Sequence, residues 1–196
     1  MKTDFKQLKM NYDLSGKRVA VLATDGFEQS ELDVPVQALK TCGAEVHIVA
    51  PEPGTIRGWS GKDWGEKRQV TKILADASAD DYDSLVLPGG VINSDRLRTL
   101  PDAVEFAREF FEQQKPVAAI CHAAQLLIEA DVVEGRAMTS YPSIRIDLEN
   151  AGALWEDQSV VVDQGLTTSR SPEDLPDFCE KLCEEILEGI HRGQHA

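Results

Sequence analysis

Basic residues are scarce in this chain. It carries 20 Lys and Arg against 34 Asp and Glu, a formal net charge of −14 over 196 residues. Nucleic acids and anionic membrane surfaces need clustered Lys and Arg, so neither is an expected partner. Long apolar runs are missing as well; none approaches the ~18–20 residues of a spanning helix. Residues 1–16 are polar and lack the apolar stretch of a secretory leader, so the expected location is cytoplasmic. Cysteine is sparse, at positions 42, 121, 179 and 183. That is too few for a disulfide scaffold in a domain this size, and the spacing is not that of a zinc site. No metal is expected. Cys179 and Cys183 stand four apart on a predicted helix, where both can face a core beside Leu182 and Ile186. The Gly89-Gly90 pair has no following Lys-Ser or Lys-Thr and is no phosphate loop. Nothing in the chain calls for a cofactor. Internal repeats, linkers and low-complexity segments are lacking too.

What is present is 42% hydrophobic residues, an ordinary value for a globular chain. The length suits one domain. The expected division is an N-terminal extension over 1–16, a single domain over 17–190 and a polar tail over 191–196.

The pattern alternates strand and helix. Residues 18–23 contain an unbroken apolar run, as in a parallel strand covered on both faces. A helix is expected over 31–42, closed by Gly43, then a strand over 44–50. Residues 51–67 read as an irregular connection with short β pieces. A strand over 84–87 runs into Pro88-Gly89-Gly90, and residues 101–114 form a helix with an apolar side. Beyond it come a short strand over 135–140 and a helix over 143–151. Strands over 159–163 and 166–169 flank Gln164-Gly165, a hairpin turn. A last helix is expected over 173–190, interrupted near Pro176. The expected fold is therefore α/β: a doubly wound, flavodoxin-like, mainly parallel sheet with helices on both faces.

The segment that organises the rest is 115–127. Val117–Ile120 is a short apolar run behind Pro116, and Ala123, Ala124, Leu126 and Leu127 suit a helix. Cys121 falls on the turn between them, with Ala119 and Ala123 two residues to either side. Such small neighbours permit a nucleophile elbow, and a thiol there faces the first amides of a helix, which favour thiolate. The competing reading makes Cys121 a small buried hydrophobe. In an open parallel sheet, sites form beyond the carboxyl ends of the strands. Three loops leave such ends: 24–30, 88–95 and the elbow. They should converge, bringing Glu28 near Cys121 and offering the Gly89 and Gly90 amides to an oxyanion. The alternative for the two glycines is a plain tight turn.

Several segments resemble the ThiJ/PfpI family, which includes the parkinsonism-associated deglycase and PfpI-type intracellular peptidases within the glutamine-amidotransferase-like superfamily. They are Val19-Ala20-Val21-Leu22, Asp25-Gly26-Phe27-Glu28-Gln29-Ser30-Glu31-Leu32, Leu85-Val86-Leu87-Pro88-Gly89-Gly90, Lys115 to His122, Gly135 to Pro142, and Thr168-Ser169-Arg170 with Asp174-Leu175-Pro176. They keep family order and span nearly the whole chain. The resemblance implies Cys121 as nucleophile, His122 as acid/base and Glu28 hydrogen-bonded near the sulfur. It also implies an acidic residue after the Gly-Gly loop, from a neighbouring subunit, that orients the histidine. Asp95 is the nearest match, one residue beyond the usual spacing; its other reading is a first-turn carboxylate complementing a helix dipole. Ala123-Ala124 departs from the Gly-Pro that commonly follows Cys-His, which bears on the oxyanion amide at Ala123. A homodimer or higher homo-oligomer is implied.

A glutaminase is not expected, because the histidines after His122 are His191 and His195, both in the tail. A thiolate with a nearby base can attack an aldehyde, a ketoaldehyde or an acyl carbon. Family activities include glyoxalase-like conversion of methylglyoxal to lactate, deglycation of methylglyoxal adducts, and peptide hydrolysis. Small cleft residues favour small carbonyls over folded peptide, and the expected partner is a small-molecule carbonyl or a glycated protein. The alternatives are a PfpI-type cysteine peptidase, or a redox sensor or chaperone working through Cys121 oxidation.

Overall fold

The computed structural model describes residues 10–194. In chain order its elements are β1 (Arg18–Leu22), β2 (Phe27–Glu28), α1 (Gln29–Thr41), β3 (Glu45–Ala50), β4 (Thr55–Ser60), β5 (Asp63–Gln69), β6 (Lys72–Ile73) and β7 (Ser84–Leu87). They continue with α2 (Val91–Leu97), α3 (Pro101–Glu112), β8 (Val117–Ile120), α4 (Ala124–Glu129), β9 (Ala137–Met138), α5 (Arg145–Asn150), β10 (Leu154–Trp155), β11 (Val160–Asp163), β12 (Leu166–Ser169) and α6 (Leu175–Glu188).

Seven strands form one sheet in the order β11-β12-β8-β7-β1-β3-β6. Every pairing in it is parallel except the β11–β12 hairpin. The central strands β1, β7 and β8 are apolar and buried on both faces. One face is covered by α3 and α4, whose Phe106, Phe110, Phe111, Leu126 and Leu127 pack on Leu22, Leu85 and Leu87. The other is covered by α1 and α6, through Leu32, Leu39, Phe178, Leu182 and Ile186. This is the doubly wound α/β arrangement expected from the alternation.

Several boundaries differ from expectation. The connection over 51–67 is a regular antiparallel hairpin, β4–β5, in which Trp59 opposes Trp64. The strand expected over 135–140 is only β9, and it pairs with β10 outside the main sheet. The last helix is not interrupted at Pro176, which sits in its first turn. No backbone N–H is needed there, so proline is tolerated. α1 starts at Gln29, two residues earlier than expected, which matters for the site. Of the N-terminal extension, residues 10–16 are described, and Leu14 is fully buried with its amide bonded to the Cys42 carbonyl at 2.7 Å. The described part of the tail is also docked: the His191 amide donates to the Gln114 carbonyl, and Gln194 is buried. The remaining residues of both ends lie outside the described range.

Candidate active site

β8 ends in Ile120, and the chain turns at once into a short 3-10 turn and then α4. Cys121 sits on that turn with φ of +64°, in the left-handed region that side chains avoid. Such strain persists only where surrounding packing enforces it, and it lifts the side chain clear of the sheet.

The loops after β1, β7 and β8 converge as expected. The Glu28 amide donates to the Gly89 carbonyl at 3.1 Å. Buried Asn93 on α2 staples two of the loops, accepting from the Thr24 amide and donating to the Pro88 and Gly89 carbonyls. Gly89 is obligatory, because a Cβ there would lie 2.7 Å from both the Ile120 carbonyl oxygen and the Cys121 Cβ. Gly90, at φ +95°, would place one 2.3 Å from the Gly26 carbonyl oxygen.

One expectation is corrected. The carboxyl group beside the sulfur belongs to Glu31 in the first turn of α1, and Glu28 stands further out. The reason is helix phase. Because α1 begins at Gln29, Glu31 joins the inward stripe of Leu32, Pro35, Ala38 and Leu39. Its Oε2 accepts from the Gly89 amide at 2.9 Å. Its Oε1 is buried with no hydrogen-bond partner of its own, which leaves the Cys121 sulfur as the group its proton can reach. A carboxylate falling on the apolar stripe of a helix was the signal in the sequence that pointed to Glu31. Glu28 lines the cleft, half-buried, and accepts from the Ser30 hydroxyl at 3.3 Å.

Burial sets the electrostatics. It lifts the Glu31 carboxyl to about 8, helped by the charge of Glu28, so Glu31 is largely protonated at neutral pH. Burial also pushes the Cys121 thiol up, and an ionised Glu31 would push it further; the Gly90 and His122 amides pull the other way. The thiolate expected at rest from the helix amides alone is therefore opposed by desolvation, and the resting group is the thiol. His122 is drawn below its usual range by burial and is a neutral imidazole at pH 7. Its Nδ1 lies 3.2 Å from the Cys121 sulfur and its Nε2 lies 3.1 Å from the Ser143 hydroxyl. The tautomer that satisfies both contacts accepts at Nδ1 from the thiol and donates from Nε2 to Ser143. The ring stacks on Tyr141 at 4.7 Å, and the Tyr141 amide is held by the Cys121 carbonyl.

The other expected residues take different places. The Gly89 amide is committed to Glu31, whereas the Gly90 amide faces the sulfur. Ala123 is buried beneath the elbow in the core. Asp95 is exposed on α2, and within its own chain the Nε2 of His122 is taken by Ser143. Asn93, Ser143, Tyr141 and Trp59 are site residues that spacing did not reveal, since three of them come from segments without local pattern. Arg170, part of the resemblance, ties Asp157, between β10 and β11, to Asp174 at the start of α6.

The sulfur opens into a cleft of about 400 Å³ lined by Gly26, Glu28, Trp59, Ile92, His122 and Tyr141, among others. Its Trp59 wall comes from the β4–β5 hairpin, held over the site because β2 pairs with β4 at Phe27–Gly58 and Glu28–Trp59.

The chain is similar in sequence and in fold to known proteins. The model of the DJ-1/PfpI family matches residues 17–185. A putative cysteine protease, YraA of Bacillus subtilis, is 44% identical over 83% of this chain and 94% of its own length. Protein/nucleic acid deglycase 2 of Escherichia coli is 43% identical over 83% of this chain and 93% of its own. Among solved structures, a two-domain protein from Anabaena variabilis with DJ-1/ThiJ/PfpI-like and ferritin-like domains superposes with a TM-score of 0.82 at 36% identity. That match covers 87% of this chain and 48% of the other, so this chain spans about half of it.

Proposed function

The chain belongs to the DJ-1/PfpI family, and from that premise we propose that it is a cysteine-dependent enzyme acting on small reactive carbonyls or their protein adducts. The observation that carries this reading is the Cys121 sulfur on a strained elbow, 3.2 Å from a neutral imidazole and open to a small cleft. His122 Nδ1 takes the thiol proton as the sulfur attacks a carbonyl carbon, and the resulting imidazolium remains beside the anion it created. The developing oxyanion is met by the Gly90 amide. Protonated Glu31 stabilises the ionised sulfur by donating a hydrogen bond to it.

Methylglyoxal is the simplest such carbonyl. Cys121 adds to the aldehyde to give a hemithioacetal, and the C1 proton moves by way of an enediol to C2, leaving a lactoyl thioester. Water then releases lactate and the thiol. The aldehyde carbon is oxidised and the ketone carbon reduced within one molecule, so no external oxidant or cofactor is required. Relatives carrying the names deglycase and putative cysteine protease support this class of chemistry. A general stress protein of Bacillus subtilis, 43% identical, fits a role in carbonyl stress. Among the described residues, no helix is long and apolar enough to cross a membrane. We also propose self-association that brings Asp95 of one subunit toward His122 of the next; the exposed Val91 and Ile92 on the same helix support it.

The test is lactate production from methylglyoxal by wild type and Cys121→Ser, together with release of adducts from a glycated peptide. Loss of both in the variant supports the reading. Turnover by Cys121→Ser at the wild-type rate overturns it.

A further inference from the structure

Glu28 does not hold the sulfur, and its position in the cleft calls for another account. The carboxylate is half-buried, and its hydrogen bond comes from the neutral Ser30 hydroxyl. Among the described residues it has no ion-pair partner. The cleft lining contains Glu28 and Glu31 but no Lys or Arg. The Glu173 carboxylate adds negative potential at Glu28 from the start of α6. Among the described residues, Arg170, which lines the adjoining pocket with Tyr141 and Glu173, is already held by Asp157 and Asp174. The walls facing Glu28 are aromatic: Trp59, which is paired to Glu28 across the β2–β4 ladder, and Tyr141. A half-desolvated carboxylate beside aromatic faces is the surround that a cation prefers to an anion.

We infer that Glu28 is a specificity-determining residue that selects electrophiles carrying a positive charge, with Trp59 as the aromatic wall for the ammonium or guanidinium group. The inference rests on the proposed function, since it takes the ligand to approach Cys121. Among charged members of the proposed class it favours carbonyl or acyl groups borne beside an ammonium or guanidinium over those borne beside a carboxylate or phosphate, and it leaves neutral methylglyoxal as a substrate.

The experiment reads Cys121 itself and requires no turnover. Two thiol reagents of similar size are compared: trimethylammonioethyl methanethiosulfonate and its sulfonatoethyl counterpart. Each gives a mixed disulfide with the sulfur and releases methanesulfinate. Rates at Cys121 are measured by mass spectrometry at high ionic strength, which screens the overall charge of the protein. They are normalised to a small free thiol. The wild-type ratio of cationic to anionic rates should exceed the free-thiol ratio about tenfold or more, as one nearby unscreened charge predicts. Glu28→Gln should bring the ratio down by about fivefold or more, and Glu28→Lys should invert the preference. Glu112→Gln, an exposed change on α3 at the opposite end of β8, should leave it within about twofold.

An unchanged ratio in both Glu28 variants, with Cys121 still modified, overturns this inference and leaves the proposed function standing. Failure of both reagents to modify Cys121 in wild type overturns both.

Discussion

Cys121 and the cluster of Cys42, Cys179 and Cys183 are both buried, yet their surroundings differ in kind. The three lie where α1 meets α6, with the Cys42 and Cys183 sulfurs 4.0 Å apart amid Leu39, Leu182 and Ile186. Burial pushes Cys179 up to about 12, and nothing nearby offsets it. Burial also raises Cys121, but there two amides face the sulfur, a neutral imidazole can accept its proton, and a carboxylic acid can donate to its anion. The lesson is that desolvation sets the cost of ionising a thiol in both places. Only the elbow carries groups that offset it at the moment of reaction.

The comparison predicts its own failures. The largest effect belongs to Cys121→Ser, which should lower methylglyoxal turnover by about 10³-fold or more, because a serine lacks the thiol's acidity and nucleophilicity. Cys179→Ser and Cys183→Ser should leave turnover per folded molecule within about twofold. Steady-state kinetics on all three variants would break the comparison if a cluster variant lost activity as Cys121→Ser does.

Next in size is Gly89→Ala. The added Cβ, 2.7 Å from the Ile120 carbonyl oxygen and the Cys121 Cβ, must displace the elbow itself. A shift of about 1 Å at a reacting atom costs about 10²-fold, so kcat/KM should fall by about that much. Wild-type kinetics in a folded Gly89→Ala protein would remove the requirement for close approach.

Glu31 sharpens the comparison further. Glu31→Ala should slow iodoacetamide labelling of Cys121 about tenfold, the scale of one hydrogen bond to a charged group. Glu31→Gln keeps a donor and should slow it less. In wild type Cys121 should label before the other three cysteines, which mass spectrometry of the digested protein resolves. Equal rates for wild type and Glu31→Ala would show that the carboxyl group plays no part in stabilising the thiolate.

The last effect, read on stability and not on rate, is a tilt with pH. The folded value of about 8 for Glu31 stands above its ordinary carboxyl value of 4.5. The folded state therefore binds more protons than the unfolded state between those values. Its burial adds no pH-dependent cost below the unfolded value, costs progressively more as pH rises through the window, and levels off above the folded value. Between pH 5 and pH 8, wild type should lose stability relative to Glu31→Gln, whose side chain does not titrate. Parallel melting curves for the two proteins would contradict the shift.

The alternation of short apolar strands with helices was legible along the chain because each element announces itself by local period. So was the elbow, since Cys121 is flanked by small residues between an apolar run and a helical one. The hairpin over β4 and β5 was not legible: Arg57, Glu66, Lys67 and Arg68 are polar, and its order comes from pairing with β2. Nor were Ser143 and Tyr141, which follow a two-residue strand and reach the site only because the Tyr141 amide bonds the Cys121 carbonyl.

By itself, then, the sequence determined the layered α/β plan, the elbow that carries Cys121 and the three loops that must meet, because strand order and helix propensity act locally. Which carboxylate meets the sulfur was decided by tertiary structure. A start of α1 at Gln29 turns Glu31 inward and leaves Glu28 on the cleft wall. That start is fixed by β2 pairing with β4 and by the Glu28 amide bonded to the Gly89 carbonyl. Long-range contacts of this kind set helix phase, and three residues of separation are enough to exchange a buried acid for a half-exposed one.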